Sequence, residues 1–340
     1  MKNVTIKTIS EVTGRSLTTV SRVLNGSAKK YRIKEETQKL VLDAAHKLNY
    51  APNQAAVSLR LNRSLSIGLV IPTLSNPYFA DVASLVSHSL RTKGYSVLLM
   101  DCDEKEAAEI EAVRLLAAQN VGGVIIIPSG SQSAHIEVLL KRGIPVVCID
   151  RYHENIPVSY VATNHYEGAY AMTQYLISCG HKRIACLQGS HAVISNNLRV
   201  KGYRDAMGAG NLPVYSVAGN SFTRESGYIE TKLLLQKKEK PTAVFALSDT
   251  ILLGALKAIK EENIKVPADI SVVTFDNSSY LDFLACPVTS IEQPVGDIAN
   301  MSIKLLQDRI KSHNREAAEQ QMKVLINPRI VFRQSVKMHK

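Results

Sequence analysis

The chain has 340 residues, 45% of them hydrophobic, which is too many for one compact domain and enough for two or three. Its net charge is +11, but residues 1–64 hold 12 Lys and Arg against 4 acids, while the rest of the chain holds 29 against 26. A basic head on a nearly neutral body points to a polyanion as the head's partner, with a solvated basic surface as the plain alternative. The N-terminus has no apolar signal region, and no run approaches the ~18 apolar residues of a membrane helix, so a cytoplasmic protein with no membrane contact is expected.

In chain order, the head is helical. Ile6, Ile9 and Val12 repeat at a spacing of three after a possible Thr5 cap, and Gly14 breaks the pattern. Ser16 can cap a second helix over 17–24, with Val20, Val23 and Leu24 on one face to pack on Ile9 and Val12. A third helix fits 34–48, with Leu40, Val41, Ala44, Ala45 and Leu48 as its apolar stripe. "NYAPN" ends it at Pro52, and a short helical piece, "QAAVSLRL", follows. Beyond residue 64 the grammar changes. "LSIGLVIP", "YSVLLMD", "GGVIIIP", "IPVVCID", "RIACLQG", "TAVFALSD" and "DISVVTFD" each read as a buried parallel strand. Amphipathic stretches at 105–119, 166–178, 223–237 and 250–262 separate them, and "MKVLINPRIVFRQSV" fits two more strands. That alternation predicts doubly wound α/β architecture in two lobes, with no sequence repeat.

Helix, glycine turn, helix is the grammar of helix-turn-helix DNA binding. On the second helix Leu17, Thr18, Ser21 and Arg22 fall opposite the apolar face. Arg22 could pair bidentately with guanine, Thr18 could bond a base or phosphate, and Leu17 could touch a thymine methyl. An ordinary helical bundle is the competing reading. The five cysteines are scattered without a C-x-x-C pair, and neither a metal site nor a cofactor is expected. Walker A, nucleophile-elbow and H-E-x-x-H motifs are absent, so no enzyme is expected; "GAGNLP" lacks the third glycine of a dinucleotide fingerprint.

"VTIKTISEVTGRSLTTVSRVLNG", "EETQKLVLDAAHKLNYAPNQAAVSLR" and "IGLVIPTLSNPYFA" resemble the lactose repressor (LacI/GalR) family of bacterial transcription regulators, over essentially the whole chain. The resemblance implies a helix-turn-helix headpiece over 1–52, a hinge helix over 53–64 and an effector-binding, dimerising body over 65–340. The body would resemble periplasmic sugar-binding proteins, with lobe one about 65–160 plus 293–320 and lobe two about 161–292 plus 321–340. The implied DNA-contact set is Thr5, Ser16, Leu17, Thr18, Thr19, Ser21, Arg22, Asn25, Lys29, Lys30, Asn53, Ala56, Leu59 and Arg60. In the family a leucine of the hinge wedges into the minor groove, and Ala56, Leu59 and Arg60 match that region. The loop "GSAKKYRIKEET" departs from the pattern. It is about three residues longer than the common family loop, and Lys34 stands where a Ser cap is usual.

Strand ends in such folds carry the ligand. The implied effector set is Asn76, Phe79, Asp101, Arg151, Arg199, Ser248, Asp276 and Gln293. Acceptors, donors and an aromatic face are what a sugar or polyol requires. Ser248 stands where the family commonly has asparagine. The function implied is a repressor of a near-palindromic operator, acting as a homodimer under a small sugar-like effector. Candidate dimer positions are Val82, Val86, Phe283 and Leu284, with the lobe interior as their other home. Two alternatives stand: a sugar-binding receptor without a DNA role, and a regulator whose corepressor is a phosphocarrier protein.

Overall fold

The structure is a computed structural model that describes residues 4–50, 64–311 and 321–339. It divides into two compact units, Met1–Ser64 and Leu65–Lys340.

In the first unit, helix α1 (Ile6–Thr13) starts at Thr5. The Thr5 hydroxyl accepts the Thr8 amide, and the Thr8 hydroxyl accepts the Thr5 amide. This reciprocal box satisfies two donors that the helix start leaves open. Gly14, at φ 63°, ends α1 in the left-handed region that glycine adopts freely. Ser16 then caps α2 (Leu17–Leu24) by accepting the Thr19 amide at 3.2 Å. Helix α3 (Glu35–Lys47) has no side-chain cap at Lys34, but Glu35 and Glu36 lie in its first turn, where the helix dipole favours acids. Ile9, Val20, Val23, Ala28, Val41, Ala44 and Ala45 form the core of the unit.

Two expected core residues are outside that core. Val12 is 62% exposed and Leu40 42% exposed. A spacing of three slips by about 60° per step on a helix of 3.6 residues per turn, so the third apolar residue has rotated off the buried face. Leu40 borders the stripe of Val41, Ala44 and Ala45 from the solvent side.

The second unit contains two six-stranded sheets. The first comprises β1 (Ser66–Ile71), β2 (Ser96–Asp101), β3 (Gly123–Ile126), β4 (Val146–Ile149), β5 (Ser159–Thr163) and β11 (Lys323–Ile326), in the order β11-β5-β4-β3-β1-β2. The second comprises β6 (Ile184–Leu187), β7 (Ser216–Ala218), β8 (Ala243–Ala246), β9 (Ser271–Phe275), β10 (Thr289–Glu292) and β12 (Arg329–Val331), in the order β12-β10-β9-β8-β6-β7. All pairings are parallel except β10 with β12. The two orders correspond position by position without a visible sequence repeat, and the sheets differ only at the last strand, β11 being parallel and β12 antiparallel. β4 and β9 hold equivalent places.

Helices cover both faces of each sheet. α4 (Pro77–Thr92) and α11 (Val295–Lys311) bury Val82, Val86, Leu90, Ile298 and Leu306 against one face of the first sheet. α5 (Glu106–Ala118) and α6 (Ala134–Lys141) cover the other through Val113, Leu116, Ile136 and Leu139. On the second sheet α7 (His165–Ser178) and α8 (Ile194–Ala209) pack on one face. α9 (Arg224–Leu235) and α10 (Asp249–Glu261) pack on the other. α9 and α10 approach so closely that a Cβ on Gly254 would fall 1.9 Å from the Arg224 carbonyl oxygen.

Three expectations change here. Val82 and Val86 are fully buried and are not interface positions, because they face the sheet from the inner side of α4. β2 is an edge strand whose positions are all exposed or half-buried, not a buried run. The lobe boundaries also move: β5 runs to Thr163 and β11 lies in the first sheet, so 161–163 and 323–326 belong to lobe one. The chain thus passes between the sheets three times, after Thr163, Glu292 and Ile326.

Candidate functional site

A parallel sheet points all its carboxyl ends one way, and the two sheets bring theirs to a common cleft. Asp150 follows β4 and Asp276 follows β9, at the equivalent place in each lobe. Both are left-handed, at φ 61° and 75°, a region that aspartate tolerates better than most residues. Lobe one adds Asn76, Tyr78, Phe79 and Arg151 to the pocket wall, and lobe two adds Ser195, Arg199, Phe222 and Ser248. These residues close on one another and leave about 10 Å³ between them, room for about one water.

A buried chain of hydrogen bonds crosses it. The Tyr78 hydroxyl donates to Asp150 Oδ1 at 3.0 Å. His165 Nε2 lies 3.2 Å from the same oxygen and 3.3 Å from the Asp150 carbonyl oxygen. Arg199 donates through Nε to His165 Nδ1 at 3.3 Å and through Nη1 to the Leu247 carbonyl at 2.6 Å. Its guanidinium lies 3.7 Å from the centre of the Phe275 ring. Because Nδ1 of His165 accepts, its proton sits on Nε2 and points at Asp150. Burial, with Arg199 nearby, lowers the His165 imidazole against the pull of Asp150.

The two strand-end aspartates differ in charge. Burial pushes Asp150 up, but His165, Arg199 and Arg151 outweigh it and hold the carboxyl at about 2. Burial pushes Asp276 up to about 7, against the pull of Arg199, and the nearby Asp249 adds to the rise. Gln293 donates to Asp276 Oδ1 at 2.6 Å and accepts from Thr163 at 2.6 Å, so it ties the two lobes at a crossover. It lies in a neighbouring cavity that shares Tyr78 and Asp276 with the pocket.

Other expected residues are already engaged. Asn76 and Ser248 cap α4 and α10 with their side-chain oxygens. Arg151 closes a two-pronged pair on Glu104 at 2.9 and 3.1 Å. Its guanidinium lies between Phe79 of lobe one and Phe222 of lobe two, 5.0 and 5.5 Å from their ring centres. Asp101 is not brought to the pocket. It ends the edge strand β2, is exposed, and accepts the Leu74 and Asp103 amides at 3.1 Å each. Tyr78, His165, Ser195 and Phe222 were missed. Asp150 stands outside the expected effector set, although "VVCID" and "VVTFD" repeat one pattern.

In the headpiece, Leu17 and Thr18 are exposed on α2, and Thr19, Ser21 and Arg22 are half-buried. Asn25 spends its amide on the Ser21 carbonyl and hydroxyl. Lys29 and Lys30 are exposed in the loop that follows. Asn53, Ala56, Leu59 and Arg60 lie outside the described residues. Among the described residues no His, Cys, Asp and Glu cluster could hold a metal, and no helix is long and apolar enough to cross a membrane.

The sequence pattern of the bacterial regulatory proteins, lacI family, matches residues 5–53, and that of a periplasmic binding protein-like domain matches 173–336. The HTH-type transcriptional repressor PurR of Actinobacillus pleuropneumoniae serotype 3 (strain JL03) is 33% identical over 335 residues, 98% of each chain. The chain belongs to the lacI family. It is a DNA-binding transcriptional regulator, not an enzyme. The family headpiece overturns the reading of a sugar receptor without a DNA role. A structure of the lac repressor dimer bound to operator and the anti-inducer ONPF superposes on this lacI-family chain with a TM-score of 0.86 and 26% identity, covering 99% of this chain and 100% of that one. A LacI family regulator from Enterococcus faecium with bound ribose gives a TM-score of 0.71 at 26% identity, over 81% of this chain and 100% of that one. A phosphocarrier corepressor finds no support among these relatives.

Proposed function

We propose that this lacI-family protein is a cytoplasmic homodimeric repressor that reads a near-palindromic operator and changes its grip when a small sugar or polyol enters the cleft. The observation that carries the effector reading is the pair of aspartates at equivalent strand ends, lining one small pocket together with Phe79 and Phe222. Asp276 accepts hydroxyl hydrogens. The aromatic rings take the apolar C–H face of the sugar. The ionised Asp150 and the pairing of Arg151 with Glu104 favour a neutral sugar over a phosphorylated one. In the head, Leu17, Thr18 and Arg22 read bases. Thr5, Ser16, Thr19, Ser21, Lys29 and Lys30 serve the phosphates, and Asn25 braces the end of the reading helix.

The test is linkage. Full-length protein selects a site from random duplex DNA, and a panel of sugars and sugar phosphates is screened by thermal shift. A true effector at a hundredfold excess over its Kd raises stability by about 2.7 kcal/mol. The same sugar must then change affinity for the selected site, because a ligand shifts a two-state equilibrium only by its differential affinity for the states. A sugar that stabilises the body and leaves DNA affinity untouched removes the effector role.

Assembly gives a second expectation. Phe283 is 86% exposed, unusual for a phenylalanine, and Leu284 beside it is half-buried. Phe283→Glu is expected to shift the dimer toward monomer in light scattering at micromolar concentration, with operator affinity falling alongside. A parent protein that is already monomeric there ends the dimer reading.

A further inference from the structure

Arg22 does not stand alone on the reading helix. Its guanidinium carbon lies 3.7 Å from the centre of the Tyr31 ring, which comes from the loop between α2 and α3. Tyr31 is 46% exposed and is not part of the core of the unit. The loop holds it in place by its own backbone. The Ser27 amide donates to the Arg22 carbonyl at 2.9 Å, Tyr31 to Ser27 at 3.3 Å, and Ile33 to Ala28 at 3.0 Å. Ala28 is buried and Ile33 packs on the core, so both ends of the tyrosine turn are anchored. Arg32, at φ 52°, turns the chain back toward α3. Among the described residues no carboxylate pairs with Arg22.

We infer that Tyr31 is a positioning residue for base reading: its ring holds the face of the Arg22 guanidinium and leaves the N–H edge free for a guanine. A planar guanidinium stacks through its face and donates through its edge, so the two contacts do not compete. An unheld arginine of this length samples many rotamers, and those are lost when it pairs with a base. A stacked one has lost most of them beforehand. The inference rests on the proposal that Arg22 reads a base, and the experiment separates the two.

Full-length parent, Arg22→Ala, Tyr31→Leu, Tyr31→Phe and the Arg22→Ala/Tyr31→Leu double variant are each used to select sites from random-sequence duplex DNA. Affinities are then measured for the parent's selected site and for a scrambled duplex. Arg22→Ala is expected to relax one base position and to weaken the selected site by about ten- to a hundredfold. Tyr31→Leu is expected to relax the same position and weaken that site by about three- to tenfold, with the scrambled duplex unaffected. Tyr31→Phe keeps the ring and retains the parent's preference. In the Arg22→Ala background, Tyr31→Leu does nothing further. Thermal melting confirms that each variant keeps its fold, as the exposure of Tyr31 predicts. If Arg22→Ala leaves the motif unchanged, the base-reading proposal fails and this inference goes with it. If Arg22→Ala relaxes the motif but Tyr31→Leu does not, or if Tyr31→Leu weakens both duplexes equally, the inference alone is overturned.

Discussion

Arg199→Ala is expected to destabilise the α/β body by about 3–5 kcal/mol, the cost of breaking a buried charged network by removing one member. The side chain is 4% exposed. It satisfies His165 Nδ1 and the Leu247 carbonyl, lies on Phe275, and is one of the cations that hold Asp150 ionised. Truncation leaves two buried acceptors open and raises the Asp150 carboxyl toward the value its burial dictates. The sign with pH follows. In the parent, the lowered Asp150 contributes stability above its ordinary value of 3.8, and that contribution is lost as pH falls toward about 2. Arg199 also pulls Asp276 down against its burial, so in the variant Asp276 rises further and costs more stability as pH climbs past 7. The deficit should therefore be larger at pH 8 than at pH 5. Arg199→Lys keeps the charge but not the fork and should recover only part of the loss. Urea denaturation measures this, and a variant within about 1 kcal/mol of the parent at pH 8 would falsify the network's role.

That role was not visible in the sequence, and the reason is general. "RVKGY" marks Arg199 as a cleft candidate, but what it touches comes from 34 and 48 residues away. His165 is simply the first residue of a helix. By contrast, α1 and α2 were legible to the residue, because Thr5, Gly14 and Ser16 each do a local job that only a few residue types can do. β1, β3, β4, β6, β8 and β9 were legible as β-branched runs buried on both faces. β10 was not. Its Thr289 and Ser290 are fully buried, with hydroxyls satisfied by Arg333 from the C-terminal segment, so its burial depends on partners over 40 residues away. β5 and β7 were missed as well, and β7 has only three residues. Asp101 shows the limit of the strand-end rule. It matches Asp150 and Asp276 in pattern, but an edge strand leaves its carboxylate among loop amides instead of in the cleft.

Asp276→Ala is expected to weaken effector binding by about 1.5–3 kcal/mol, the range for a hydrogen bond to a charged group. The stronger signature is its pH dependence. Burial holds Asp276 at about 7, above its ordinary 3.8. In the unliganded body the stability due to this group is therefore fully present below about pH 4 and lost as pH rises through 7. A sugar hydroxyl donates best to the ionised carboxylate, so binding lowers the Asp276 value and releases a proton. Effector affinity should fall by about tenfold between pH 8 and pH 6, the slope of a single proton with a midpoint near 7. Asp276→Asn keeps an acceptor oxygen for Gln293 but cannot titrate, and its affinity should be weak and flat over the same range. Asp150, held at about 2, adds no slope there. Calorimetric titration with the sugar identified in the screen, at pH 6, 7 and 8, measures all three. A parent affinity that does not change with pH, or an Asp276→Asn variant that keeps the parent's slope, would move the effector's contacts away from this carboxylate.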